Sequence, residues 1–346
     1  MKKINQKNQV CLIGCCPSSG STLLADILDA QNISMCGPEL CLFANPTIYG
    51  KSPENCLHKF ALCPTPYKIR NRPYFHNLKH YSLNKSYLKE RLANDDLNSF
   101  VQKLANDYFS KESKQGGIFF EKTPENNHYA RNYLQHFKNG WYLFVIRNPI
   151  YVFNSMLNRG FSKKASLINW FVEAYLFIAM SQNQNVMSIR YEDLIKNPWR
   201  TVKNILVTIN PKLSLEEDEI EKNFRNNNHR KKTIKRPKSW SISSNDGIVD
   251  ANNKELNDNI KQLFSAAKGL KIHDRYADKF NYPSMTFMEI IEHFGYQDSL
   301  KPIFKNYHSK GGRYTSRDWR KVLKGAPYSS LNLQQLISIT QPVQSI

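Results

Sequence analysis

The sequence predicts an α/β fold, a three-layer, doubly wound parallel sheet followed by a C-terminal extension. Three observations carry that prediction. Val10-Cys11-Leu12-Ile13 is an apolar run without alternation, the pattern of a central strand covered on both faces. Ile118-Phe119-Phe120, Trp141 to Ile146 and Val186 to Arg190 are further short apolar runs, spaced by stretches of helical periodicity. These runs end in polar residues, Glu121-Lys122-Thr123-Pro124, Arg147-Asn148-Pro149 and Tyr191-Glu192-Asp193. In open parallel sheets ligands bind at those carboxyl ends.

Taken in order, the first strand leads into a turn bracketed by Gly14 and Gly20, and a helix opens on Ser21 and Thr22 with Leu23, Leu24, Ile27 and Leu28 on one face. Small residues let backbone N–H groups approach an anion, and the helix start adds its positive dipole end, so Pro17 to Thr22 reads as a phosphate cradle. Asn32 to Phe43 reads as a second short strand running into Gly37-Pro38, which places Glu39 near the cradle. Residues 44 to 95 are rich in Pro, Tyr, His and Lys and read as a long, partly irregular insertion over the active face. A helix follows over Leu97 to Phe109, then the 118–120 strand, which Pro124 stops, leaving Lys122 in the connection beyond its end.

A helix over 127 to 137 leads to the 141–146 strand, and the next helix carries Ser155 and Arg159. An amphipathic helix over 166 to 180, the 186–190 strand and a helix opening at Pro198 come next. Phe224 to Lys238 is a basic loop leading to Ser239-Trp240, and a helix from about Asn253 to Ala267 closes the core. This divides the chain into one domain over 8–270 and an aromatic, basic extension over 271–346.

With 346 residues, 40% hydrophobic and 23% charged, the chain can fill a real core and shows no low-complexity block. The net charge of +20 has two readings: a field that concentrates anionic partners, or a compositional richness in Lys and Asn. The polar opening MKKINQKNQ holds no apolar leader, and Ile168 to Met180 contains Glu173 and is shorter than the ~20 residues a span needs. A soluble, cytoplasmic protein without a membrane anchor is expected. All seven cysteines fall in the first 63 residues, without a C-x-x-C pair, as reduced structural thiols would. No metal is expected, and no recognisable nucleic-acid-binding module is visible.

The loop resembles a P-loop, except that Ser21 stands where a nucleotide hydrolase carries its lysine, which argues against a kinase or ATPase. Four separated motifs together resemble the sulfotransferases that use 3′-phosphoadenosine 5′-phosphosulfate (PAPS), over roughly residues 10 to 270, closest in spacing to the tyrosylprotein and related bacterial members. They are Pro17-Ser18-Ser19-Gly20-Ser21-Thr22, Cys36-Gly37-Pro38-Glu39, Phe144 to Pro149 with Ser155 and Arg159 following, and Arg190-Tyr191-Glu192-Asp193-Leu194. The resemblance implies a P-loop-NTPase-like sulfotransferase fold and transfer of a sulfuryl group from PAPS to a hydroxyl or amine, without a metal. It implies Glu39 as general base and Lys122 as the cation on the leaving phosphate. It further implies that the cradle residues Pro17, Ser18, Ser19, Gly20, Ser21 and Thr22 hold the 5′-phosphosulfate, that Arg147, Ser155 and Arg159 hold the 3′-phosphate, that Tyr191 lies against adenine, and that Ser239 lies near the donor phosphates.

One departure stands out. Relatives carry Arg or Lys where this loop has Ser18, so a positive charge is missing. Lys122 or the 225–238 loop replaces it, or turnover is slow, or the donor site serves another purpose. Lys310-Gly311 with Asp318-Trp319 has the wrong spacing for the family's closing motif and reads as a basic surface loop. The acceptor is a carbohydrate, a tyrosine in an acidic peptide or a small metabolite, and the basic surface favours a polyanionic one. The competing reading is a catalytically weak nucleotide- or nucleic-acid-binding protein on the same fold.

Overall fold

The computed structural model describes residues 8–57, 75–81, 83–114, 116–161, 163–226, 264, 267, 270–306 and 337–339. Ser239, the basic loop beyond 226, most of the 253–267 helix and the 310–319 stretch lie outside the described residues.

Five parallel strands form the sheet: β1 (Gln9–Cys15), β2 (Ser34–Cys36), β3 (Ile118–Lys122), β4 (Trp141–Ile146) and β5 (Val186–Arg190), in the spatial order β2-β3-β1-β4-β5. The chain first steps two places from β1 to β2, and every later step runs the other way. Right-handed crossovers therefore send the first connection over one face and the rest over the other.

The packing follows that rule. On one face Cys11, Ile13 and Cys15 of β1 meet Leu23, Leu24, Ile27 and Leu28 of α1 (Ser21–Asp29) and Val202, Ile205 and Leu206 of α8 (Pro198–Ile209). On the other, Val10 and Leu12 share a larger core with α3 (Leu97–Lys111), α4 (Ala130–His136), α5 (Pro149–Asn158) and α6 (Lys163–Met180). The non-alternating β1 is thus buried on both sides. Because only β1's onward connection crosses that first face, the connections part to opposite faces at its carboxyl end, the switch point at which open α/β sheets bind ligands.

Two sequence expectations are corrected. Lys122 is the last residue of β3, in register with Ile13, because Thr123 N–H still bonds Ile13 O at 3.2 Å and Pro124 serves as the first residue of a 3-10 turn, Pro124–Tyr129. That turn also takes the first part of the helix expected over 127–137, leaving α4 to start at Ala130. Among the described residues of 44–95, the partly irregular insertion contains three 3-10 turns and α2 (Lys85–Asn94). Asn84 caps α2, and Leu88 and Leu92 anchor one face of it. Two further helices, α7 (Tyr191–Lys196) and α9 (Glu217–Asn226), flank α8.

The described part of the tail is packed into the large core. β6 (Leu270–Ile272) pairs with β7 (Ile337–Ile339), and α10 (Asp274–Ala277), α11 (Phe287–His293) and α12 (Gln297–Asn306) follow β6. Phe287 meets Trp170 and Phe171 edge-on at 5.9 and 5.6 Å, and Ile290, Ile291 and Leu300 are buried with it.

Candidate active site

The carboxyl edge of the sheet collects most of the residues singled out above. Following β1, Ser18 adopts the left-handed conformation (φ 70°) and Gly20 does the same (φ 88°), so the loop doubles back into α1. At Gly20 this freedom is required twice, since a Cβ there would also overlap the ring of Tyr191. Helix α1 starts without a side-chain cap and without an acidic residue in its first turn, so its leading N–H groups have no carboxylate against them. The buried Ser19 hydroxyl has no partner among the described residues, and Ser21 accepts a hydrogen bond from the Cys15 thiol at 3.1 Å. A loop with an orphaned hydroxyl and an uncapped helix start fits an anionic oxygen cluster.

Glu39 and Lys122 form an ion pair across the ends of β2 and β3. The Lys122 side chain is 5% exposed and that of Glu39 23%, so the carboxylate is the member that opens outward. Burial pulls the Lys122 pKa down, but the Glu39 charge and hydrogen bond, helped by Cys15 and Cys36, outweigh it and hold the ammonium above its usual range.

The segment carrying Glu39 is fixed from both sides. Asn77 Nδ2 donates to Glu39 O at 2.6 Å and Tyr81 OH to Pro38 O at 2.7 Å, while a Cβ on Gly37 would overlap that phenol. From the other side Glu121, fully buried, accepts from Leu40 N–H (3.0 Å), Thr123 hydroxyl (2.7 Å) and Asn126 Nδ2 (2.7 Å). Glu121 thereby clips the loop holding Glu39 to the strand holding Lys122.

The arginines converge on the loop from the opposite wall. Arg147, leaving β4, donates to Ser18 O at 3.2 Å, and its guanidinium lies 4.4 Å above the ring of Tyr191. Arg159, just past α5, donates to Ser18 Oγ at 2.9 Å. Trp170 Nε1 bonds Arg147 O at 2.9 Å and anchors that turn. Tyr191 is buried between Gly20 and Arg147, and Ser155 is half-buried on α5. Among the described residues, the two cations hydrogen-bonded to Ser18 are Arg147 and Arg159, whereas Lys122 is engaged by Glu39.

The tail reaches the same edge. Glu192 accepts from Asn148 N–H (2.9 Å) and Tyr296 OH (2.8 Å), and Asn148 Nδ2 donates to Ser299 Oγ (2.9 Å). The junction after β4 is therefore tied to α12 and the turn before it.

Sequence reasoning missed a set of buried polar groups beneath the site. Glu125 is buried with Oε2 unpartnered among the described residues. Burial and the Glu39 charge push its carboxyl up to about 8. Glu173 on α6 takes His128 Nε2 at 2.8 Å and Asn127 Nδ2 at 2.6 Å, and Asn127 in turn accepts from Tyr142 OH at 2.8 Å. Glu173 was visible as the lone acid in an apolar helix, a signal for a buried partner. Burial raises the thiol pKa of Cys11, Cys15 and Cys16, and the described cysteines are buried and outside any disulfide. Among the described residues, no helix is long and apolar enough to cross a membrane and no group of three or more His, Cys, Asp or Glu could hold a metal ion.

Comparison with known proteins places this geometry. No curated protein matches the chain in sequence. Solved structures that resemble it include the sulfotransferase domain of the Synechococcus PCC 7002 olefin synthase, at 18% identity and TM-score 0.45, with 76% of this chain and 96% of that one covered. Another is the sulfotransferase domain from the curacin biosynthetic pathway, at 14% identity and TM-score 0.42, covering 80% and 99%. A third is sulfotransferase STF9 from Mycobacterium avium, at 14% identity and TM-score 0.38, covering 80% and 78%. The model of the sulfotransferase family matches residues 11–213, which span β1 through α8 and every described site residue, and the chain belongs to that family.

Proposed function

We propose that the protein transfers a sulfuryl group from PAPS to a hydroxyl or amine of its acceptor, with Glu39 as general base and Lys122 on the leaving phosphate. The observation that carries this reading is the division of one sheet edge into two charge systems. A Glu39–Lys122 pair stands at the ends of β2 and β3, and Arg147 and Arg159 stand on the loop after β1. Guanidiniums match phosphate oxygens bidentately, and the uncapped start of α1 with the free Ser19 hydroxyl suits the 5′ group. The loop Pro17 to Thr22, with Arg147, Ser155 and Arg159, would hold the donor. Ser239 and the stacking of adenine on Tyr191 stay with the family resemblance.

The ion pair suits the chemistry. As the acceptor oxygen attacks sulfur, Glu39 takes its proton and loses its negative charge. Lys122 is thereby released from its partner at the moment when negative charge grows on the oxygen that bridged sulfur and phosphorus. The S–O bond to that oxygen breaks, leaving a sulfate ester (or sulfamate) and adenosine 3′,5′-bisphosphate. Positioning and electrostatic stabilisation supply the rate, as in phosphoryl transfer.

Calorimetric titration tests the donor half. Adenosine 3′,5′-bisphosphate should bind more tightly than adenosine 5′-phosphate, and Arg147→Ala should abolish the preference. Glu39→Gln should cut transfer from PAPS by at least about a hundredfold, within the range for a lost general base, while binding the bisphosphate as wild type does. Equal binding of the two nucleotides would overturn the donor assignment, and turnover retained in Glu39→Gln would remove Glu39 from its role.

A further inference from the structure

We propose that Ser18 is the residue that sets this chain's preference for a 3′-phosphorylated nucleotide, by holding Arg147 and Arg159 in place from the loop. The inference rests on the donor site proposed above and adds to it the element that organises the two arginines.

Three observations meet at this residue. Ser18 stands in the left-handed region at φ 70°, which turns its carbonyl and its hydroxyl toward the wall formed by β4 and α5. The carbonyl accepts from Arg147 and the hydroxyl from Arg159, so one residue binds both guanidiniums. Arg147 is additionally held by the face of Tyr191, which packs on Gly20, and so the loop grips that arginine at two points, Ser18 and Gly20 through Tyr191.

The consequences follow from arginine chemistry. A guanidinium carries five N–H donors in a fixed plane, so the bond from Arg159 to Ser18 Oγ engages one donor and leaves the plane of that side chain able to meet phosphate oxygens. Arg147 is buried and already confined, whereas Arg159 is exposed and sits on a long, rotatable stem. Ordering such a side chain opposes binding, and an arginine ordered beforehand by Ser18 Oγ avoids that loss. A basic residue at position 18 would add a charge but remove the acceptor that places Arg159. In this chain the loop supplies an acceptor, and the cations come from the opposite wall.

The test measures the ratio of dissociation constants for adenosine 5′-phosphate and adenosine 3′,5′-bisphosphate, which a purely structural role for Ser18 would not change. Ser18→Gly keeps the left-handed backbone and deletes the hydroxyl. It should lower the ratio about tenfold, equivalent to about 1.4 kcal/mol, mainly by weakening the bisphosphate. Ser18→Asn, a residue that tolerates the left-handed region and restores an acceptor oxygen, should recover most of the ratio. The double variant Ser18→Gly/Arg159→Ala should be no worse than Arg159→Ala alone, because the two residues act as one unit. A ratio in Ser18→Gly within twofold of wild type, or strict additivity in the double variant, would overturn the inference while leaving the donor site standing. A wild-type ratio near one would overturn the donor site itself.

Discussion

Replacing Glu125 by Gln is expected to remove a pH-dependent loss of stability. Glu125 is the second residue of the 124–129 turn and is buried, facing Glu39 from the loop after β2, Lys122 from β3 and Glu173 from α6. Burial first, then the Glu39 charge, carry its carboxyl from the ordinary 4.5 to about 8, with Glu173 adding to the rise and Lys122 opposing it. The folded state therefore binds a proton that the unfolded chain has released between those two values. Where the folded state holds more protons, stability falls as pH rises. The decline starts near the unfolded value of 4.5 and is complete above about 8. At 1.36 kcal/mol per pH unit the ceiling is about 5 kcal/mol, and relaxation around an ionised carboxylate brings the expected effect to roughly 2 kcal/mol. Gln has the same shape and no proton to lose. Urea unfolding at pH 5 and pH 9 should show the variant gaining about 2 kcal/mol on wild type between the two conditions, by the linkage relation. Parallel pH dependence in the two proteins would refute the buried, neutral carboxyl.

Two further substitutions test how the site edge is built. Gly20→Ala meets both a positive φ and the Tyr191 ring, and should cost about 2–4 kcal/mol in strain and overlap and weaken bisphosphate binding as Tyr191 shifts from under Arg147. Thermal unfolding and calorimetry read the two effects. Phe287→Ala should cost about 3–5 kcal/mol, because Phe287 is fully buried against Trp170, Phe171 and Phe264; an unfolding free energy within 1 kcal/mol of wild type would mean that the tail folds apart from the sheet.

What the sequence disclosed and what it hid follow from the range of the interactions. The turn after β1, β1 itself, β4 and β5 are written in local signals: apolar runs, small turn residues and a helical face that begins on cue. Lys122 was misplaced by its proline because Pro at the first position of a 3-10 turn ends a strand later than Pro read as a simple stop. Helix α2 was hidden because only Leu88 and Leu92 mark its buried side among charged neighbours, and its cap, Asn84, is a residue equally common in turns. Glu121, Glu125 and the identity of His128 as the partner of Glu173 were illegible for a different reason. Their burial comes from partners on other elements, up to 81 residues away for Glu121 and Leu40, and composition around them gives no sign of it.

The same distinction bears on the acceptor. A net charge of +20 describes a field at long range, and it drew attention to polyanions. Around Lys122 the balance is different: Glu39 is paired with it, and Glu121, Glu125 and Glu173 lie near by, while Arg147 and Arg159 are turned to the loop. Were all four carboxyls ionised, one lysine could not offset them, and the buried Glu125 avoids that by staying protonated at neutral pH. Glu121 spends its oxygens on three donors and so presents little to a ligand. The site thus approaches neutrality at Glu39–Lys122 and is cationic at Ser18. Under the proposed function, an anionic group drawn in by the whole protein meets favourable charge on the arginine wall, whereas an acceptor hydroxyl or amine brought beside Glu39 would meet a carboxylate. On this reading the long-range field serves the donor, and the reacting end of the acceptor is selected for being neutral or positively charged.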